Sequence, residues 1–274
     1  LRGLAPKELE IVGCPYLDVM TERLKVLRPA EEKNQICSFL WIYYGYPCTE
    51  YEGINTEEVR YSLGQVMGER DDVQADYVSP IPDSGIGMAL GYSHGRGIPY
   101  KRGVLKYTPT WSRSFMPVSQ DDRNLIARMK LIPSHTVLQG KDVVFCDDSI
   151  VRGTQLRDNV KMLYEYGARS VHVRISCPPL VHGCTFLNFS ESKTDRELIT
   201  RRVIEELEGG EVRNLEAYHD HTTPQYARMV EVIRRHVGVD TLRFNTIDDV
   251  CNAIGLPKDN VCTHCFDASS YGDK

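Results

Sequence analysis

The stretch VVFCDDSIVRGTQLRDNV, residues 143–160, constrains the fold of this chain more than any other. Residues 143–146 are a short, continuous apolar run, as in a strand buried on both faces. Two aspartates follow, then a Ser/Ile/Val/Arg/Gly/Thr turn. Beyond it Leu156, Val160 and Leu163 recur at helical spacing, and Gly167 stops the helix. A buried strand that turns tightly into an amphipathic helix is the opening of a βαβ unit and calls for a parallel sheet. The turn then falls at the carboxyl end of a strand, where open α/β sheets bind ligands.

The chemistry of that turn follows from its residues. Ser149 to Thr154 can present backbone N–H groups and hydroxyls at a helix N-terminus, which is an anion cradle. Asp147 and Asp148 are poor partners for an anion. They suit sugar hydroxyls, or Mg²⁺ held directly or through water. Phosphate and polyol groups side by side describe a phosphorylated sugar. The plainer alternative is a strand end whose aspartates only cap the next helix.

The same alternation continues elsewhere. Strands are expected at 77–81 and 171–175, and helices at 119–130 and 153–166. Residues 1–36 read as a linker with short helical pieces, and 37–185 as the α/β core. Residues 186–238 are more charged and read as a helical insertion. Its two helices end at Gly209/Gly210 and at Gly238, the second opened by Pro224. Residues 239–274 should add a strand at 241–244, a helix at 247–254 and a cysteine-bearing tail.

A net charge of −5 argues against a duplex-DNA partner, which usually needs a basic face. No window approaches the roughly 20 apolar residues of a membrane span. Leu1 opens no basic, apolar leader of the secretory kind. Nine cysteines without such a leader are expected in a reducing, cytoplasmic compartment, as ligands, nucleophiles or core residues.

VVFCDDSIVRGT resembles the phosphoribosyl-pyrophosphate (PRPP) signature of type I phosphoribosyltransferases, and DDSIVRGT is similar to the form found in amidophosphoribosyltransferases. Further stretches match that family in order: CSFLWIYYGYP (37–47), PIPDSGIGMALGYSHGRGIPY (80–100), SRSFMPVSQDDRNLIARMKL (112–131), GARSVHVRISCPPLVHGC (167–184) and CTHC (262–265). The resemblance implies a type I phosphoribosyltransferase-like open parallel sheet flanked by helices. It implies a transferase that uses PRPP and Mg²⁺ with ammonia or another nitrogen acceptor, as in the first step of purine synthesis, and works as a homo-oligomer.

By the same resemblance, Asp147 and Asp148 would serve the ribose hydroxyls and the Mg²⁺ shell. Ser149, Ile150, Val151, Arg152, Gly153 and Thr154 would hold the 5′-phosphate. Asp83, Ser84 and Gly85 of PDSG would form the pyrophosphate loop, with Ser84 near the metal; without the other motifs PDSG would pass for a surface turn. Residues 106–116 resemble a loop that closes over PRPP, with Lys106 and Arg113 as cations for the departing pyrophosphate. Cys37, Cys184, Cys262 and Cys265 match the ligands of a [4Fe–4S] cluster, although a C-x-x-C pair with two remote cysteines also suits Zn²⁺ or buried structural thiols.

The sequence departs from the family in three places. The family's glutaminase part, with its N-terminal cysteine, is expected to be missing, since residue 1 is Leu1 and the first cysteine is Cys14. Nitrogen is therefore expected from free ammonia, or from glutamine through a separate glutaminase subunit or domain. Gln155 stands where the family has a small hydroxyl residue, and CTFLNFSESKTDRE (184–197) replaces the acceptor-side stretch. A different class of function stays open, a PRPP-sensing iron–sulfur binding protein with little catalysis, as does a purely structural metalloprotein with a silent PRPP motif.

Overall fold

The computed structural model describes residues 14–18, 23–28, 35–106, 131–184, 197–210 and 212–269. In chain order the strands are β1 (Cys14–Asp18), β2 (Arg23–Arg28), β3 (Ile36–Cys37), β4 (Glu50–Tyr51), β5 (Ile54–Asn55), β6 (Tyr77–Pro80), β7 (Val104–Lys106), β8 (Leu131–Pro133), β9 (Asp142–Asp147), β10 (Ser170–Ile175), β11 (Thr241–Phe244) and β12 (Val261–Cys262). The α-helices are α1 (Thr56–Arg70), α2 (Ile86–Arg96), α3 (His135–Leu138), α4 (Thr154–Glu165), α5 (Ile199–Glu208), α6 (Pro224–Val237), α7 (Ile247–Ile254) and α8 (His264–Asp267). A short π-helix spans Leu40–Tyr44.

The central sheet has four strands in the order β11-β10-β9-β6. Every pairing in it is parallel, with Val143 opposite both Val171 and Tyr77. Alternation along β9 divides its side chains between two faces. Val144 and Cys146 pack with Met67, Val78, Met88 and Tyr92 beneath α1 and α2. Val143 and Phe145 join the larger core with Leu156, Val160 and Ile233 of α4 and α6. Covering on both faces is why these strands are continuous apolar runs.

The expected strands and helices of the core lie where the periodicity puts them, and the helical stretch 119–130 is outside the described residues. Residues 14–18 and 23–28 differ from expectation. They contain an antiparallel strand pair, β1 with β2, in place of short helical pieces. In RLKVLR, Leu24 and Val26 stand two apart, the strand spacing, and Leu27 interrupts it. α5 and α6 belong to the connection from β10 to β11, and Val203, Ile204, Met229 and Ile233 bury into the main core.

Capping explains the element ends. The Asn55 side chain accepts from the Glu57 and Glu58 N–H groups at the start of α1. Thr246 and Asp249 form a reciprocal capping box on α7. α6 starts with Thr223 and Pro224, and Gly238 closes it at φ 79°.

Two features hold the layers in register. The helices α1 and α2 meet through glycines: an added Cβ at Gly64 would stand 1.9 Å from the Met88 carbonyl oxygen, and one at Gly91 1.9 Å from that of Tyr61. Beside them, Asp71 and Arg174 form an ion pair with both side chains fully buried. Tyr92 donates to Asp71 at 2.6 Å, Arg243 pairs with it at 3.0 Å, and Arg174 also donates to Thr241 at 2.9 Å. Every strong partner of the buried charges is thereby satisfied, as burial of charge requires.

Candidate active site

β9 delivers Asp147 at its last position and Asp148 just beyond, at the carboxyl edge of the sheet. β6 ends one strand away and leads directly into PDSG. The Ile81 N–H donates to the Cys146 carbonyl at 2.9 Å, which lays the start of that loop on the end of β9. The peptide between Pro82 and Asp83 is cis. Gly85 makes the closest approach: a Cβ there would stand 2.0 Å from the Cys146 oxygen, so no larger residue fits the same backbone.

The two loops are joined by side chains. Ser84 Oγ donates to Asp147 Oδ1 at 2.9 Å, and the Asp148 N–H donates to the same oxygen at 3.0 Å. Ser149 Oγ donates to Asp148 Oδ2 at 2.5 Å. Burial first, and then the neighbouring Asp148, push the Asp147 carboxyl well above the usual carboxylate range. Asp148 is itself buried. Two adjacent carboxylates in a poorly hydrated place favour a cation or hydroxyl donors between them and solvent.

The aspartates do not cap the next helix. The N-cap of α4 is Gly153, at φ 76°, and no side chain caps that end. Among the described residues, no backbone carbonyl accepts from the N–H groups of Ser149 to Thr154. The loop therefore presents unpaired donors at the positive end of a twelve-residue helix, the arrangement that binds phosphate groups. PDSG is likewise a loop seated on a strand end, rather than the isolated surface turn that its sequence alone would suggest.

Lys106 ends β7 and pairs with Asp83 at 2.7 Å, so it stands at the rim of PDSG. Arg113 lies outside the described residues. The sequence reading missed Arg60. Its buried guanidinium donates to the carbonyls of Trp41 (2.9 Å) and Gly45 (2.8 Å), and its charge is within electrostatic reach of Asp148. An Arg inside an amphipathic helix pattern gives no sign that it turns inward.

The donor set fits a hard cation. Asp147, Asp148 and Ser84 offer oxygen only. No group of three or more metal-ligating side chains is preassembled among the described residues. Two carboxylates and a hydroxyl suit Mg²⁺, which commonly takes one or two carboxylates and completes its shell with water and substrate phosphates.

The cysteine set lies elsewhere. Cys37 faces Cys262 in the parallel pairing of β3 with β12. Burial first, then the neighbouring thiols of Cys262 and Cys184, push Cys37 up to about 11. Cys265 is raised by burial and by Cys177, Cys37, Cys262 and Cys184. Cys184 and Cys265 thus lie within electrostatic reach of the Cys37–Cys262 pair, and no group of three or more such side chains placed to hold a metal ion is found among the described residues. Cys146 is a buried core residue, as its position in the strand implies.

By class, the chain is a type I phosphoribosyltransferase-fold protein: a parallel sheet flanked by helices, with a carboxylate pair and a turn of free backbone donors at its carboxyl edge. Within that class it is related to the amidophosphoribosyltransferases. It is 35% identical over 271 residues to the amidophosphoribosyltransferase of Bacillus subtilis, covering 94% of this chain and 51% of that protein. It is 35% identical over 229 residues to the one from Methanocaldococcus jannaschii, covering 84% of this chain and 42% of that protein. The solved glutamine PRPP amidotransferase from B. subtilis, complexed with ADP and GMP, superposes with a TM-score of 0.69 at 36% identity, covering 89% of this chain and 49% of that one. The chain thus spans about half the length of the curated relatives it matches. No protein-family model matches it.

Proposed function

We propose that this chain is the phosphoribosyl-transferring part of an amidophosphoribosyltransferase. It would take PRPP with Mg²⁺ and a nitrogen nucleophile, and give a phosphoribosylamine and pyrophosphate. The observation that carries the reading is the Ser84–Asp147 hydrogen bond, which joins the PDSG loop to the carboxylate pair beside the donor-rich turn.

In this reading the loop of residues 149–154 holds the 5′-phosphate by backbone N–H groups. Asp147 and Asp148 accept hydrogen bonds from the ribose hydroxyls and hold the Mg²⁺ shell, and Asp83, Ser84 and Gly85 receive the pyrophosphate. Bound Mg²⁺ would neutralise charge on the pyrophosphate. The bond from C1 of ribose to the pyrophosphate oxygen breaks, and its electron pair leaves with pyrophosphate. The nitrogen lone pair forms the new C1–N bond, and the nitrogen then loses a proton to solvent. Lys106 and Arg113 would stabilise the leaving group, where charge grows most in the transition state. Lys106 must exchange its Asp83 partner to do so.

Ammonia is the reacting nucleophile, whether free or released from glutamine by a glutaminase domain or subunit. Cys37, Cys184, Cys262 and Cys265 would hold an iron–sulfur cluster, and the raised Cys37 and Cys265 thiols mean that loading releases protons.

The test is pyrophosphate release from PRPP by the pure chain, with Mg²⁺ and ammonium chloride. Release that requires both, and rises with pH as ammonium gives up its proton, supports the reading. Tight PRPP binding without release would favour a sensor instead.

A further inference from the structure

The start of α5 is strapped to the turn that precedes α4. Three contacts do this. The Ile199 N–H donates to the Val151 carbonyl at 2.8 Å, and Arg202 Nη2 donates to the Arg152 carbonyl at 2.6 Å. The Arg152 guanidinium grips one oxygen of Glu197 through Nε (3.0 Å) and Nη2 (2.5 Å). The Ile199 side chain also fills the space beside Gly153, with Cδ1 2.4 Å from where a Cβ would stand.

These contacts have a direct consequence for the loop's donors. In a trans peptide the carbonyl and the following N–H point in opposite directions. The carbonyls of Val151 and Arg152 are both drawn toward α5. The N–H groups of Arg152 and Gly153 must then face away from α5. The Arg152 side chain is drawn to the α5 side as well, away from the donors that face the other way.

The geometry points to Glu197 and Ile199 as positioning residues for the phosphate loop: Ile199, with Arg202, fixes the direction of its N–H groups, and Glu197 keeps the Arg152 side chain out of the cradle. This rests on the reading that residues 149–154 take the ribose 5′-phosphate. On that reading the turn binds phosphate through backbone donors, and its shape is imposed from α5, some 45 residues further along the chain from Arg152.

Calorimetry on the full chain separates the possibilities, with ribose 5-phosphate and Mg²⁺-pyrophosphate as two separate probes. Glu197→Gln should weaken ribose 5-phosphate binding by about fivefold, the scale of a half-exposed ion pair. Pyrophosphate binding should stay within about twofold, since the hydrogen bonds of PDSG among the described residues run to Asp147, Lys106 and its own neighbours and none to α5. Ile199→Val should show the same selectivity more weakly, and it carries the test if Glu197→Gln fails to fold. Unchanged or tighter ribose 5-phosphate binding in both variants would overturn the inference, as would equal loss of both ligands. If the wild-type chain binds pyrophosphate but no ribose 5-phosphate, the phosphate-loop reading itself fails and takes the inference with it.

Discussion

At Gly85 an added methyl group would meet the Cys146 carbonyl oxygen 2.0 Å away, so Gly85→Ala must push the PDSG loop off the end of β9. PRPP affinity should fall at least tenfold, about 1.4 kcal/mol, by titration calorimetry. An unchanged affinity would show that the loop holds no part of the ligand. The motif residues at this scale were legible because their chemistry is local: two carboxylates, a hydroxyl and a glycine at strand ends. Arg60 and Glu197 were not. Their roles depend on partners 15 to 19 residues away for Arg60 and 45 residues away for Glu197, and nothing in their own neighbourhoods marks them.

Among the elements, α1 and α2 approach so closely that Gly64 and Gly91 each admit no side chain. Gly64→Ala should cost about 1–3 kcal/mol in urea unfolding, the usual range for overpacking, although alanine is the better helix former. A stabilised variant would mean that the helices can separate freely. Helices α4 to α7 were readable from their 3.6 period and glycine stops, and the buried parallel strands from their short apolar runs, whereas α1 and α2 were not expected. The glycine contact was not, since small residues inside a helix pattern carry no period of their own. The tail shows the same limit. β3 pairs with β12 over only two residues, too short for any pattern. Such a pairing gains from a metal staple, because metal binding is linked to folding. Protein purified without oxygen should contain iron and sulfide, and Cys262→Ser should lose both and melt at a lower temperature. Stoichiometric zinc from iron-replete cells would contradict the cluster assignment.

Across the whole molecule, the buried Asp71–Arg174 pair ties α1's end to the middle of the sheet. Burial alone would raise the Asp71 carboxyl, but hydrogen bonds and charge from Arg174, with help from Tyr92 and Arg243, hold it down at about 2, against an ordinary value of 3.8. A depressed carboxylate contributes stability that is complete above its unfolded value and lost as pH falls toward its folded one. The contribution is about 2 kcal/mol, and it should erode between about pH 4 and pH 2. Melting temperatures measured against pH should show this slope in the wild type, and a shallower slope in Asp71→Asn. Arg174→Met leaves a buried charge without its partner and should cost about 3–5 kcal/mol near neutral pH. Equal slopes for wild type and Asp71→Asn would mean that Asp71 titrates normally.

PRPP binding at this site would depend on one pair of carboxylates at the end of β9 acting together with a bound cation. Titrating the chain with PRPP, with and without Mg²⁺, beside an Asp147→Asn/Asp148→Asn variant tests it. Binding should need Mg²⁺ and weaken at least tenfold in the variant, about 1.4 kcal/mol or more. Affinity that ignores both Mg²⁺ and the double replacement would place PRPP somewhere other than this site.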